Sequence, residues 1–283
     1  MNIKEIKNIL HQERLAPLKQ LGQNFLIHPA TIERLVQMAG ISRKDNLVEL
    51  GVGLGSLTRI LAREARHVTG LEIDRKIISW HQNIKILPEN VKLLHQDMLK
   101  ADFKDLASGN GAPLKIIANL PYSIASPLVF KLIKNHQYIE WAVLMFQKEV
   151  ALRLISSPGT KNYGILSVLL AGCAEVEKLL ELGPSEFYPR PKINSQVLKI
   201  RFQPVPDRVK ALPEYDKKLL ARIVKSAFQK RRKTITTALA NSSVLAYSKN
   251  DIVSALDRAE INQNSRAEKL AIEEYVALTR QLR

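Results

Sequence analysis

With 283 residues and 46% hydrophobic side chains, the chain is long enough for one large domain, or a main domain with a small partner, around an ordinary core. One cysteine, Cys173, excludes an internal disulfide framework and a CxxC zinc site, and the six histidines show no metal-binding spacing, so no metal is expected. The 43 Lys and Arg against 27 Asp and Glu leave a net charge of +16, which favours a polyanionic partner because each neutralised phosphate releases condensed counterions.

In chain order, the opening MNIKEIKNILHQERL is charged and reads as a basic helical extension, not as a signal peptide. From Asn46 onward short apolar runs alternate with helical patterns. NLVEL (46–50) predicts a strand, followed by a glycine loop and a helix over 56–63. HVTGLEI (67–73) predicts a second strand and 75–86 a helix. VKLLH (91–95), LKIIA (114–118) and WAVLMF (141–146) continue the series, with helices at about 125–135, 148–155 and 163–172. This alternation implies βαβ units, hence an α/β fold with a mostly parallel, Rossmann-like sheet and helices on both faces. EVEKLLEL (175–182) and QVLKIRF (196–202) predict two late strands, an antiparallel pair at the sheet edge. The prolines of QPVPDRVKALPEY (203–215) mark a linker, and the pattern beyond it is helical. Two domains are expected: 1–206, cofactor-binding and carrying the N-terminal basic extension, and 207–283, small, helical and basic. The longest apolar run, around 165–174, is about half of the roughly 20 residues a bilayer span needs, so a soluble, cytoplasmic protein is expected.

The loop VELGVGLGSLT (48–58) follows the first strand and opens a helix. Gly51, Gly53 and Gly55 allow a sharp turn and a close approach of backbone to ligand. Their GxGxG spacing differs from the GxGxxG that cradles a pyrophosphate and suits S-adenosylmethionine, which has no phosphate. The second strand ends on Glu72, placed to accept hydrogen bonds from ribose hydroxyls; the third is followed by Asp97, placed to read an adenine amine. Each acid alone is an ordinary strand-end charge or cap. A glycine loop, Glu72 and Asp97 after three consecutive strands point to an adenosyl cofactor, S-adenosylmethionine ahead of NAD.

The fourth strand ends in Asn119-Leu120-Pro121-Tyr122. An exocyclic adenine amine is a poor nucleophile because its lone pair is delocalised into the ring. Two acceptors gripping its N–H bonds favour a pyramidal nitrogen and aim the lone pair. The Asn119 side-chain oxygen can be one, and the Leu120 carbonyl the other, since a residue before proline is held extended and Pro121 stiffens the turn. Tyr122 can stack on an extruded base. Taken alone, such a turn carries no chemistry; the three preceding strand ends give it a methyl donor. In FYPRPKINSQV (187–197) the prolines either form a plain rigid loop or set Phe187 over the second face of the base, with Arg190 and Lys192 near the phosphates. Between Asp216 and Asp251 there is no acidic residue, and that stretch carries Lys230, Arg231, Arg232 and Lys233, a one-sign block of the kind that marks a nucleic-acid footprint.

These motifs resemble one family almost end to end, the ribosomal RNA adenine N6,N6-dimethyltransferases, and within it the bacterial small-subunit, kasugamycin-sensitivity type. The likeness runs through LGQNFL (21–26), ELGVGLGSLT (49–58), LEID (71–74), QDML (96–99), NLPYSIASPL (119–128), QKEVALRL (147–154), YGILSV (163–168), FYPRPKINSQV, AFQKRRKTI (227–235) and RAEKLAIEEYVAL (266–278). The resemblance implies that Asn24 and Leu26 contact the cofactor, that Gly51, Gly53, Glu72, Asp97 and Asn119 bind it, and that Asn119 acts at the target amine beside Tyr122. It further implies an enzyme that transfers four methyl groups, two to each of two adjacent adenosines in the 3′-terminal hairpin loop of 16S rRNA, late in small-subunit assembly; a monomer is expected, although the sequence itself carries no signal for oligomeric state. Two positions depart from the family pattern: Val52 stands where proline is usual, and Ser123 where Asn is frequent. Four readings compete. A large-subunit rRNA adenine methyltransferase shares the core and the turn, and a DNA adenine methyltransferase uses a [DN]PPY turn with a separate recognition domain. A non-catalytic assembly factor needs only the basic surface, and an NAD enzyme is the most distant option.

Overall fold

Apolar runs such as LKIIA and WAVLMF have no polar face to offer water, and a sheet covered by helices on both sides buries them. The computed structural model, which describes residues 1–13, 23–111 and 113–282, has this arrangement. One unit comprises Met1–Ala151 and Val176–Pro204, the other Leu152–Glu175 and Val205–Arg283.

The first unit runs α1 (Ile3–Gln12), β1 (Phe25–Leu26), α2 (Pro29–Ala39), β2 (Asn46–Leu50), α3 (Ser56–Glu64), β3 (His67–Glu72), α4 (Arg75–Ile84), β4 (Val91–His95), α5 (Phe103–Asn110), β5 (Leu114–Asn119), α6 (Ala125–Lys134), β6 (Ile139–Gln147), α7 (Lys148–Leu154), β7 (Glu175–Leu182), β8 (Phe187–Tyr188) and β9 (Ser195–Arg201). Strands order as β4-β3-β2-β5-β6-β9-β7. β4, β3, β2, β5 and β6 pair in parallel, β9 runs antiparallel to β6, and the two late strands are neighbours at one edge. The order reverses between β2 and β5, so the carboxyl ends of these two strands form the switch point where open α/β sheets bind ligands. Their inward residues Leu47, Leu50, Ile116 and Ile117 have no exposed surface.

Val52 packs on the sheet. A Cβ on Gly70 would lie 2.4 Å from Val52 Cγ2, a contact the backbone makes possible only because residue 70 has no side chain. Gly70→Ala is therefore expected to cost about 1–3 kcal/mol of stability by overpacking. Adding Val52→Ala should restore most of it, as read by thermal melting.

Within the charged N-terminal stretch, Ile3–Gln12 form a helix with a buried face, while Arg14 and Leu15 lie outside the described residues. Asn2 and Glu5 close a capping box, and Ile6, fully buried, packs with Phe25, Ile27, Leu54 and Trp80. A second sheet of two residues per strand pairs β1 with β8, Phe25 with Tyr188 and Leu26 with Phe187. It joins the QNFL and FYPRP blocks across more than half the chain.

The second unit contains α8 (Ile165–Ala171), α9 (Asp207–Lys210), α10 (Lys217–Gln229), α11 (Ile235–Ala240), α12 (Lys249–Arg258) and α13 (Ile272–Gln281). An expected split at 206/207 assigns 152–175 to the sheet, whereas in the structure that segment packs with the later helices. The Tyr163 hydroxyl donates to the Leu270 carbonyl at 3.0 Å and the Tyr215 hydroxyl to the Gly172 carbonyl at 3.2 Å. The apolar face of α8 fixes that it is buried, not against which neighbour. Among the described residues no helix is long and apolar enough to cross a membrane, and no three His, Cys, Asp or Glu side chains are grouped to hold a metal.

Candidate active site

Where β2 ends, Gly51, Gly53 and Gly55 take φ of 85°, 54° and 79°, the left-handed region that side chains disfavour. This conformation turns the loop over the carboxyl edge of the sheet. The Gly51 N–H donates to the Leu71 carbonyl at 2.8 Å and the Gly53 N–H to Glu72 Oε2 at 2.8 Å. Below the loop, His81 of α4 places Nε2 2.8 Å from the Gly53 carbonyl, a bond in which the ring nitrogen donates; burial pushes this histidine's pKa down, towards the neutral form.

Glu72 is nearly buried and accepts two further N–H bonds on Oε1, from Ile73 and Asp74 at 2.9 Å each. Burial pushes its pKa up and the three backbone donors oppose that shift. Three of a carboxylate's roughly four acceptor directions are thus taken, and the open one is on Oε2. After β4, Asp97 Oδ1 accepts the Leu99 N–H at 2.8 Å, which shapes the turn.

At the end of β5, Asn119 Nδ2 donates to the Asn24 carbonyl at 2.7 Å. A carbonyl can be met only by the N–H side of an amide, so this contact fixes the flip and leaves Oδ1 as the acceptor. The Leu120 side chain is buried. The turn after it closes through Ile124 N–H to the Pro121 carbonyl at 3.1 Å, so the Leu120 carbonyl takes no part in closing it. Tyr122 is half-buried, with its hydroxyl 2.7 Å from Ser195 Oγ, and burial pushes its pKa up.

A cavity of about 200 Å³ lies at this edge, lined by Asn24, Leu26, Gly51, Gly53, Glu72, Asp97 and Asn119, together with Pro121. Every residue expected to contact the cofactor thus lines one space. Leu21 and Gly22 of the LGQNFL block lie outside the described residues. The sequence pattern notes Glu49 only as the acid before the glycine loop and gives no site role to it or to Gln96, Met98 and Ile124, which also line the cavity. Glu49 was visible in VELGVG as an acid inside a buried strand, an expensive placement without a task. It is 1% exposed, Oε2 has no hydrogen-bond partner, and burial pushes its carboxyl up to about 8. Among the described residues the cavity wall carries three carboxyl groups, on Glu49, Glu72 and Asp97, and neither Lys nor Arg.

Phe187 is a correction. It is 2% exposed and belongs to the core with Leu26, Leu182 and Val197, so it offers no open ring face opposite Tyr122. Its pairing with Leu26 drew it inward, which the proline-rich pattern could not reveal. Arg190 and Lys192 are exposed on the loop between β8 and β9. Lys230, Arg231, Arg232 and Lys233 are exposed in the second unit after α10. Arg231 is tied down there, with Nε 2.5 Å from Glu268 Oε2 and a guanidinium N–H donated to the Lys161 carbonyl.

A family model described as ribosomal RNA adenine dimethylase matches residues 17–283. The ribosomal RNA small subunit methyltransferase A of Desulfotalea psychrophila is 46% identical over 277 residues, 95% of this chain and 92% of its own. The protein of the same name from Alkaliphilus metalliredigens is 40% identical over 98% of this chain and 95% of its own. Among solved structures, a dimethyladenosine transferase from Plasmodium falciparum shares the fold with a TM-score of 0.73 at 24% identity, covering 90% of this chain and 95% of that one. The 23S rRNA methyltransferase ErmE gives 0.65 at 26% identity, covering 92% and 99%. The chain belongs to the ribosomal RNA adenine dimethylase family.

Proposed function

We propose that this protein dimethylates N6 of two adjacent adenosines in the 3′-terminal hairpin loop of 16S rRNA, within the small ribosomal subunit or its late precursor, using S-adenosylmethionine. The observation that carries this reading is Asn119. Its amide is oriented by the Asn24 carbonyl with Oδ1 left to accept, and it lines the same cavity as Glu72 and Asp97.

The residues present suit the cofactor. A buried Glu49 oxygen without a partner fits the α-ammonium of a methionine moiety. The open direction on Glu72 Oε2 fits a ribose hydroxyl, and Asp97 fits an adenine amine. A dinucleotide would instead bring its pyrophosphate against the acids Glu72 and Asp97 with no cation on the wall, which disfavours NAD. When bound, S-adenosylmethionine supplies a methyl group on a sulfonium, an electrophile that needs no metal. The chain's task is then to prepare the amine. Asn119 Oδ1 and the Leu120 carbonyl accept its two N–H bonds, which pyramidalises the nitrogen and points its lone pair into the cavity. Pro121 keeps the two acceptors in register, and Tyr122 stacks on the flipped base. No strong base is required, because the amine becomes acidic as the new bond forms. Arg190 and Lys192 contact phosphates near the target, and the 230–233 block contacts RNA elsewhere.

The structural likeness to ErmE keeps a large-subunit target in view, but the 46% and 40% identical relatives are named for the small subunit. Incubating the purified protein and S-adenosylmethionine with under-methylated small subunits should yield N6,N6-dimethyladenosine, read by mass spectrometry of the nucleosides. Modification of large-subunit RNA or DNA alone would sink this reading. In the same assay, neutralising Lys230, Arg232 and Lys233 together should weaken subunit binding and flatten its salt dependence, by about one unit of slope per lost phosphate contact. Arg231 is left intact because Glu268 and the Lys161 carbonyl give it a structural task.

A further inference from the structure

The stacking role given to Tyr122 leaves open what holds its ring. Beyond the strand that ends at Asn119, the turn holds the backbone of Tyr122, with the Ile124 N–H donated to the Pro121 carbonyl and the Ala125 N–H to the Tyr122 carbonyl, but it does not hold the far end of the ring. The ring is fixed at its far end, where the hydroxyl meets Ser195 Oγ at 2.7 Å. Ser195 has no exposed surface and begins β9, in register with Gln147 of β6. Next to it, the Asn194 carbonyl accepts the Lys148 N–H at 2.9 Å, so the strand end is itself pinned. A hydroxyl without access to water must find its partner inside the protein, and here that partner is the phenol.

We propose that Ser195 is a positioning residue for the methylation reaction. It anchors the Tyr122 hydroxyl to β9, so the ring has both ends tied, its Cα in the turn after β5 and its oxygen on a strand two places across the sheet. A stacking face held this way meets the base at one angle and one depth, which keeps the amine aligned with Asn119 Oδ1. Without the bond the ring turns about its two side-chain torsions, and the productive geometry becomes one of several. The FYPRPKINSQV block then contributes Ser195 to the site, while its Phe187 contributes to the core.

This inference rests on Tyr122 stacking on the base, and four variants separate the two ideas. Ser195→Ala, Tyr122→Phe and the double variant are compared with the unmodified chain for kcat on under-methylated subunits at saturating S-adenosylmethionine. S-adenosylhomocysteine affinity and melting temperature are measured alongside. Each single change should lower kcat about tenfold, and the double should be no slower than either, because both remove one bond. Cofactor affinity should stay within about twofold, which a general loosening of the fold would not allow. Additive losses in the double, or kcat unchanged in Tyr122→Phe, would overturn the anchoring role. Tyr122→Phe carries the test even if Ser195→Ala folds poorly, since it cuts the same bond from the less buried side. Tyr122→Ala tests the underlying reading: normal turnover there ends the stacking role itself. Loss there, with Tyr122→Phe unaffected, ends only the anchor.

Discussion

Asn119→Ala should lower methyl transfer by about two to three orders of magnitude, the usual loss when one preorganised polar group is removed from a reacting centre. The loss should fall on kcat. The alanine deletes the acceptor that would grip the amine, yet Glu49, Glu72 and Asp97 still line the cavity, so S-adenosylhomocysteine affinity should change only a few-fold. Asn119→Asp should do no better, although it keeps an oxygen at the same place. Its carboxylate cannot donate to the Asn24 carbonyl, 2.7 Å away in the present structure, and two acceptors facing each other would push the side chain out of position. Single-turnover methylation of under-methylated subunits, with calorimetric titration of S-adenosylhomocysteine, separates the two effects. Near-normal turnover in Asn119→Ala would refute the amine-gripping mechanism.

Local patterns carried most of this site. NLVEL, HVTGLEI, VKLLH and LKIIA are strands because short β-prone apolar runs have few other places to go. The glycine loop, Glu72, Asp97 and Asn119 were legible because each sits at a strand's carboxyl end, a position that chain order alone predicts in an α/β sheet. Helix α2 fell outside the series read from Asn46, although its signals were present, with Pro29 in the first turn and Gly40 at the C-cap. What stayed hidden depended on contacts between distant segments. The pairing of Leu26 with Phe187 turned an expected base-stacking ring into core, and no pattern within either segment announces it. The assignment of 152–175 to the second unit is of the same kind: α8 is apolar enough for any core, and its partners come later in the chain. Ser195 escaped notice because one serine in a strand has no signature until the Tyr122 hydroxyl is seen 2.7 Å away.

Glu49→Gln should weaken S-adenosylhomocysteine binding about 30-fold near pH 8, the loss expected for removing one partner of a buried charge pair worth about 2 kcal/mol. It should also change two pH dependences. Burial is the largest cause of the carboxyl being pushed up to about 8; the charge of Glu72 adds to it, and Thr58 opposes it without completing a hydrogen bond to Oε2. In the unfolded chain the same group titrates near its ordinary 4.5. Between these values the folded, ligand-free protein holds a proton that the unfolded chain has lost, so stability falls as pH rises through that window. Glutamine does not titrate, and the variant's melting temperature should decline less across the same range. Ligand binding should show the opposite trend. An α-ammonium beside Oε2 favours the carboxylate, so binding below about pH 8 expels a proton and tightens as pH rises. The gain ends at higher pH, where the ligand's own ammonium loses its charge. Titrations in buffers of different ionisation enthalpy count the released proton. A pH slope and proton count unchanged by Glu49→Gln would remove the ammonium from this carboxylate. A flat affinity profile in the unmodified protein would mean that Glu49 keeps its proton whether or not the ligand is bound.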